Sequence, residues 1–448
     1  MVNQLKLNHN LDFKELVDIA VNNSVKSVPT LKKSATMVVQ SVAGGLIATL
    51  LWILLARMMS ISEFGEFSAS FSMLRIAITI SSLGMGTIAT KIYSQSYIDG
   101  SWELSRGLRR NAPLFILGVS IICFVVLVGC HLAIQKNTAA RLESFIAVIA
   151  LLPLFALARF FAYTSSTHGA PIRASALFDW GWNIVALITL GVFVVVFETQ
   201  LGALGVAGVF AISSTIILYL LWLLSIFVES EQIKHGKRTY SNSKWIRSGL
   251  AIAFAALSVT IIHQIGVIVL GWVYGNDENA AILSAAGKLS IIILLPVYGL
   301  GRLYRPFFAK AVAAKNQSQI NKLLLSWIRT TFVSFFVLGG VLIIGGKFFL
   351  GLYGEEYTAG YWTLVVYVLG FGGCSLMYIS RSLYQFLGYN ARVLVIMVCT
   401  SVVGIAGMYV LGEFWSYFGV ALATVITVNI SCGLILLLCF RKIKQMGK

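Results

Sequence analysis

The chain has 448 residues, of which 58% are hydrophobic and only 11% are charged, and its mean hydropathy is +0.86. A soluble protein carries roughly 25% charged residues, so this composition excludes a water-soluble globular protein and predicts an integral membrane protein. The net charge of +17 does not indicate nucleic-acid binding, because basic loops between apolar segments are better explained as topology anchors.

Twelve segments of the chain are apolar and long enough to cross a bilayer as helices. In chain order they are 37–58, 68–89, 112–134, 144–166, 175–197, 204–228, 248–274, 280–301, 330–353, 361–387, 393–412 and 417–440, hereafter spans one to twelve. The predicted loops between them are too short to hold a soluble domain. The predicted fold class is therefore an all-α integral membrane protein.

The distribution of positive charge predicts the orientation of the spans. If the N-terminus is placed in the cytoplasm, most of the 34 basic residues fall in cytoplasmic segments, and an even number of spans returns the C-terminus to the same side. Residues 1–36 are predicted to form a cytoplasmic arm, either along the membrane surface or as a solvated tail, with no cleavable signal peptide. Residues 229–247 would form a cytoplasmic linker and residues 441–448 a cytoplasmic tail.

Short motifs recur six spans apart. Gly205-Val206-Ala207 at the start of span six returns as Gly419-Val420-Ala421 at the start of span twelve, and the loop Gly169–Arg173 is similar to the loop Gly388–Arg392. A displacement by an even number of spans gives both halves the same orientation. The sequence therefore predicts two six-helix lobes related by a pseudo-two-fold axis along the membrane normal. The predicted lobes are residues 37–228 and 248–440.

Several basic side chains lie well inside the spans. They are Arg75, Arg159, Lys288 and Arg381. Each would cost roughly 2.5 to 3.5 kcal/mol at the centre of a lipid-facing helix, which together is on the order of 10 kcal/mol. Asp179 is the one acidic residue within the spans, and it cannot neutralise four cations. We therefore predict a cationic cavity for an anionic ligand; scattered structural or snorkelling residues are the alternative.

Further polar residues in the spans extend this prediction. Arg302 and Arg305 fall on the same line of span eight as Lys288, which predicts a basic ladder from the middle of the membrane to the cytoplasmic surface. Asp179 and His263 can change their protonation state and are candidates for ion coupling. A structural Asp–Arg pair and a packing histidine are the alternatives.

The remaining features of the spans predict structure rather than chemistry. Pro153 and Pro296 are expected to interrupt spans four and eight. Arg57, at the end of span one, is interpreted as a residue that snorkels to the lipid headgroups. The sequence contains no metal-ligand spacing and no arrangement of catalytic residues, so no metal, cofactor or enzymatic activity is expected.

Short motifs near the ends of spans carry a family resemblance. Arg57–Phe67 (RMMSISEFGEF) and Ser81–Gly86 (SSLGMG) form the first predicted hairpin, Leu295–Pro306 (LPVYGLGRLYRP) ends span eight, and Leu352–Tyr357 (LYGEEY) follows span nine. These segments resemble the corresponding parts of Wzx-type polysaccharide flippases. Those proteins belong to the multidrug/oligosaccharidyl-lipid/polysaccharide exporter superfamily, and the similarity extends over most of the chain beyond the N-terminal arm.

The resemblance implies a V-shaped central cavity between the lobes and transport by alternating access. The implied substrate is an undecaprenyl-diphosphate-linked oligosaccharide repeat unit of O-antigen or capsule, moved across the bacterial inner membrane with a proton or sodium gradient as the candidate drive. A diphosphate needs fixed positive charge, and arginine offers it bidentate contacts. The expected contacts are Arg75, Arg159, Lys288, Arg302, Arg305 and Arg381. The candidate protein partners are a polysaccharide polymerase and a chain-length regulator.

Two other functions remain as alternatives. A cation-coupled multidrug exporter of the same superfamily would use carboxylates inside the first lobe, where Asp179 is the one candidate. A membrane-embedded polysaccharide polymerase or ligase should carry a long external loop with catalytic residues, and none of the predicted external loops is long.

Overall fold

The computed structural model describes residues 31–134, 139–197 and 202–446, and the predicted N-terminal arm lies outside them except for its last residues. The described backbone is almost entirely helical and contains no strand. Ten of its helices are long and apolar enough to cross a membrane, and Val42–Met58 is a shorter apolar helix. Asn390–Met446 breaks at Ser416, where φ is 51° and ψ is −133°, and therefore provides two crossings. The chain is a multi-pass membrane protein, and the predicted fold class is confirmed.

The helices of the first lobe follow the six predicted spans in order. They are Leu31–Met58; Ile61–Ser81 with Met85–Asp99; Glu103–Ile134; Ala139–Ile149 with Leu152–Thr167; Pro171–Ser175, Ala176–Gly181 and Trp182–Phe197; and Ala203–Val228. Ala176–Gly181 is a π-helical turn.

The second lobe begins after the short helix Glu231–Lys234. Its spans are Asn242–Ile268 with the π-helical turn Val269–Val273; Asp277–Ser290, Ile291–Ile293 and Leu294–Ala313; Gln317–Ile344; Tyr361–Phe386; and the two halves of Asn390–Met446. The short helices Gly346–Gly351 and Glu355–Gly360 connect spans nine and ten.

Both prolines interrupt their spans, as predicted. Span four is divided before Pro153, which lies in the first turn of Leu152–Thr167. Span eight contains a 3-10 turn at Ile291–Ile293, and Pro296 lies in the first turn of the helix that follows. Proline has no backbone N–H to donate, so the start of a helix is the place where it costs least.

The predicted bounds of span two, 68–89, are wrong. The first helix starts earlier, at Ile61, behind a capping box in which Ser60 and Glu63 satisfy each other's backbone N–H groups. It ends at Ser81, and the chain turns through Leu83 and Gly84, whose φ angles are 43° and 62°. The helix Met85–Asp99 then continues the crossing. A hydropathy profile does not reveal such a turn, because the residues in the turn are as apolar as their neighbours.

The predicted bounds of span nine, 330–353, are also wrong. The helix runs from Gln317 to Ile344, and the apolar residues Phe348 and Leu350 belong to the separate helix Gly346–Gly351. The glycine pair at 345–346 separates the two helices, since glycine weakens a helix interior.

The lobes are in close contact at one end of the bundle, which we call the sealed end. Gly65 of span two lies against the start of span eight so closely that a Cβ atom at position 65 would be 1.8 Å from the carbonyl oxygen of Asp277. Arg141, at the start of span four, donates a hydrogen bond of 2.5 Å from Nη2 to Oδ2 of Asp277, and its Nε lies 3.9 Å from Glu66. Backbone packing and an ion pair therefore hold the lobes together here.

Arg57 also belongs to the sealed end, so the interpretation that it snorkels to lipid is wrong. Its Nε and Nη2 donate to the carbonyl oxygens of Leu352 and Gly351 at 2.7 and 2.6 Å. Those carbonyls follow span nine of the other lobe. A guanidinium with several donors can satisfy two backbone carbonyls at once, and this contact depends on a segment far away in the sequence that the local residues do not reveal.

Candidate functional site

A cavity of about 760 Å³ opens within the first lobe and next to the second. It extends from Trp52 and Phe71, in the middle of spans one and two, to Pro171 and Ser175 at the start of span five. Span four begins at the sealed end with Arg141 and ends near Pro171, so the cavity reaches towards the end opposite the seal. Thr260 of span seven contributes from the second lobe.

Two of the predicted cations line this cavity. Arg75 of span two is exposed although it lies in the middle of the bundle, because its surface faces the cavity, and Arg159 of span four is half-buried in the wall. Their positive charges are close enough to act on each other. Asp179 lies on the π-helical turn of span five and lines the same cavity. The cavity wall thus carries two cations and one carboxylate.

Lys288 lies next to this cavity, at the contact between the lobes. Its Nζ is 3.7 Å from the centroid of the Trp52 ring, which is a cation–π geometry, and it donates a hydrogen bond to the Ser284 hydroxyl. A second, smaller cavity of about 70 Å³ is lined by Arg75, Lys288 and His263 together. The structure therefore brings Arg75, Arg159 and Lys288 into one central cluster, with His263 beside it.

Among the described residues that line the two cavities, Asp179 is the one carboxylate, so the three cations of the central cluster keep an excess of positive charge. The salt bridges identified elsewhere in the described part of the chain join Arg109 to Glu229, Arg141 to Glu66 and Asp277, and Lys234 to Glu231. Arg75 and Lys288 take part in none of them. A charge held away from water is stable only with a partner or water around it, so the central cluster requires a wet cavity or an anionic ligand.

The remaining predicted cations form a second cluster in the second lobe. Arg305 donates a hydrogen bond of 3.2 Å from Nη2 to the Tyr378 hydroxyl. Arg381 lies three residues after Tyr378 on the same helix, which places both side chains on one side of span ten. Neither arginine is among the residues that line the two cavities. Arg302 lies on the same helix, and its side chain lies outside the described residues.

The predicted basic ladder along span eight stays a prediction, because the side chain of Arg302, its middle member, lies outside the described residues. Its two ends have different neighbours. Nζ of Lys288 lies over the Trp52 ring, whereas Arg305 donates to the Tyr378 hydroxyl.

Sequence reasoning missed the aromatic side chains of the cavity. They are Trp52, Phe71, Phe155, Phe178 and Trp182. The Trp182 indole donates to the Ser214 hydroxyl at 3.0 Å and its ring stacks with Phe71 at 6.5 Å. Aromatic residues are common throughout the spans, so no sequence signal separates those that line a cavity from those that pack in the core.

The fold is similar to that of solved MATE transporters. The chain matches the inward-facing conformation of a multidrug resistance MATE family transporter of the MOP superfamily with a TM-score of 0.72 at 14% identity, covering 92% of this chain and 99% of that one. It also matches a Vibrio cholerae MATE transporter (0.66, 14%, 92% and 97%) and the MATE multidrug transporter DinF-BH (0.67, 15%, 93% and 96%). At such identities the similarity shows the fold alone.

The sequence family is narrower than the fold. No curated protein matches the chain. The family described as "Polysaccharide biosynthesis protein" matches residues 30–312, which is more than half of the chain and includes the whole first lobe, Lys288 and Arg305. The chain belongs to this polysaccharide biosynthesis family of the multidrug/oligosaccharidyl-lipid/polysaccharide exporter superfamily, as the motifs predicted.

Proposed function

We propose that the protein is a flippase that moves undecaprenyl-diphosphate-linked oligosaccharide repeat units from the cytoplasmic to the outer leaflet of the bacterial inner membrane. The observation that carries this proposal is the central cluster: Arg75, Arg159 and Lys288 surround a cavity inside a membrane protein without enough acid to neutralise them. A diphosphate is the lipid-borne group that such a site would stabilise.

The geometry of the lobes supports transport by alternating access. The cavity is closed at one end by Gly65, Arg57 and Arg141 and extends towards the other. With both termini in the cytoplasm, the open end would face the cytoplasm. The saccharide could then enter a polar, aromatic-lined space while the polyprenyl tail stays in the lipid. Asp179 and His263 are the proposed coupling residues, because both lie against the central cluster.

A cation-coupled multidrug exporter is the second candidate, and the exposed position of Asp179 in the cavity favours it. A carboxylate could attract an organic cation. Arg75 and Arg159 line the same cavity, however, and they give it a net positive charge that repels cations. We therefore favour an anionic, lipid-linked substrate.

Single substitutions Arg75→Ala, Lys288→Ala and Arg381→Ala test the proposal. In a strain whose surface polysaccharide depends on this gene, we expect Arg75→Ala and Lys288→Ala to reduce surface polysaccharide more than about tenfold, because each removes a charge-assisted contact worth roughly 1.5 to 3 kcal/mol. Arg381→Ala should reduce it less strongly. Immunoblots of membranes should give equal protein levels.

Arg329→Ala is the matched control. Arg329 is exposed on span nine and has no ion pair among the described residues, so its removal should leave the polysaccharide unchanged. Normal polysaccharide in all three test variants would refute the proposed roles. Resistance to cationic dyes that depends on Asp179, with unchanged polysaccharide, would favour the multidrug exporter.

A further inference from the structure

Two tyrosines occupy the space between the central cluster and the second cluster. The rings of Tyr298, on span eight, and Tyr378, on span ten, are 5.7 Å apart and meet edge to face. On one side, Tyr298 lies in electrostatic range of Arg75, towards the central cluster. On the other, Arg305 bonds to the Tyr378 hydroxyl. Polar side chains thus connect two groups of arginines that would otherwise be separate.

Tyr378 is held in a fixed orientation. Its ring stacks on Trp327 with centroids 6.4 Å apart and an angle of 18°, and Trp327 is itself anchored by a hydrogen bond from Nε1 to the Leu376 carbonyl. Gly301 leaves room for the ring, since a Cβ atom there would lie 3.2 Å from Tyr378 Cε1. A donor that is fixed before its ligand arrives loses little entropy on binding.

Tyr298 is placed differently, because it is exposed. About 36% of its surface is accessible, and its hydroxyl makes no hydrogen bond to another described residue. It lies two residues after Pro296, on the helix that also carries Arg305. A hydroxyl in this position is available to a ligand that moves along the helix from Arg305 towards Arg75.

We infer that the diphosphate occupies two binding positions in turn, which we call stations. The second cluster is the station that it reaches first, and the hydroxyls of Tyr298 and Tyr378 transfer it to the central cluster. The inference rests on the proposed function. Arg305 and Arg381 supply the charge that captures the group, and the tyrosines donate neutral hydrogen bonds to its oxygens. Neutral donors suit an intermediate position, since a transported group must bind firmly enough to enter and weakly enough to leave.

A binding titration with a short-chain lipid diphosphate tests the inference. With farnesyl diphosphate as the probe and the full-length protein in detergent, Tyr378→Phe and Tyr298→Phe should each weaken binding about tenfold, the effect of one lost hydrogen bond to a charged group. Phenylalanine keeps the ring stacking. Tyr219→Phe is the control, because Tyr219 is exposed on span six and lines neither cavity, and it should leave the affinity unchanged.

The order in which the diphosphate occupies the two stations is tested by comparing binding with export in two arginine variants. Arg381→Ala should weaken farnesyl diphosphate binding at least tenfold, whereas Arg75→Ala should retain most of the binding and still stop polysaccharide export. If Arg75→Ala abolishes binding and both tyrosine variants bind like the wild type, the two-station inference is wrong while the proposed function stands. If wild-type protein does not bind the probe at all, the proposed function itself fails.

A phospholipid phosphate could also be bound by these arginines, and a competition experiment separates the two sources. Phosphatidylglycerol, added in excess, should displace the probe poorly, because its single phosphodiester group cannot reach both arginines and both hydroxyls. Equal displacement by phosphatidylglycerol would identify a headgroup site and overturn the inference. If Tyr378→Phe does not fold, the inference is tested with Tyr298→Phe, because Tyr298 is exposed and its substitution should not disturb folding.

Discussion

Replacing Gly65 by alanine is expected to reduce polysaccharide export at least tenfold by forcing the lobes apart at the sealed end. The added Cβ would lie 1.8 Å from the Asp277 carbonyl oxygen, and a backbone atom cannot move aside as a side chain does. Overpacking of this kind costs about 3 kcal/mol, which corresponds to a more than hundredfold shift between the sealed and unsealed states. Export would fall because the cavity could no longer be closed on that side.

The conformational shift can be measured directly. Tyr353 is 1% exposed at the sealed end, where its ring lies 6.4 Å from Phe64 of the other lobe. In a background without the native cysteines, Tyr353→Cys should react slowly with a membrane-impermeant maleimide, and Gly65→Ala should make it react much faster.

Gly118→Ala is the control for the Gly65 substitution. Gly118 lies on span three, and no atom lies within 4 Å of a Cβ atom built there. It should change neither export nor labelling. If Gly65→Ala behaved like this control, the close packing of the lobes would not be part of the transport cycle.

The sequence predicted the spans well where the bilayer alone decides them. Span ten was predicted at 361–387 and is the helix Tyr361–Phe386, because its apolar stretch begins and ends abruptly. Backbone hydrogen bonds must be satisfied within each segment in lipid, so a long apolar run has to be helical. The turn at Leu83–Gly84 and the glycine break after Ile344 were missed, since they are caused by backbone geometry and packing.

The candidate site was predicted in part, for a similar reason. Arg75 and Lys288 stand out in a sequence because a charge in a span is costly wherever it points. The division of the cations into two clusters depends on contacts between helices, such as those of Lys288 with Trp52 and of Arg305 with Tyr378. The role of Arg57 depends on the carbonyls of Gly351 and Leu352. Such long-range contacts leave no periodic signal in one sequence.

Arg141→Gln should also unseal the lobes, because it leaves a buried carboxylate without its cation. The Asp277 side chain is 5% exposed, while Arg141 is 28% exposed. Removing one partner of a buried pair costs about 3 to 5 kcal/mol, and water around the exposed part of Arg141 reduces this to about 2 kcal/mol. This corresponds to a roughly thirtyfold shift towards the unsealed state. We therefore expect export to fall at least tenfold and Tyr353→Cys to be labelled faster.

The double substitution Arg141→Gln with Asp277→Asn separates a lost attraction from a stranded charge. An amide pair of similar shape removes the buried carboxylate, so export should recover to at least half of the wild-type level. Arg57→Gln should have a smaller effect than Arg141→Gln, since the two carbonyls it leaves are neutral and near the surface. If the double variant were no better than Arg141→Gln, the arginine would act on something other than Asp277, and Glu66, at 3.9 Å, would be the residue to substitute next.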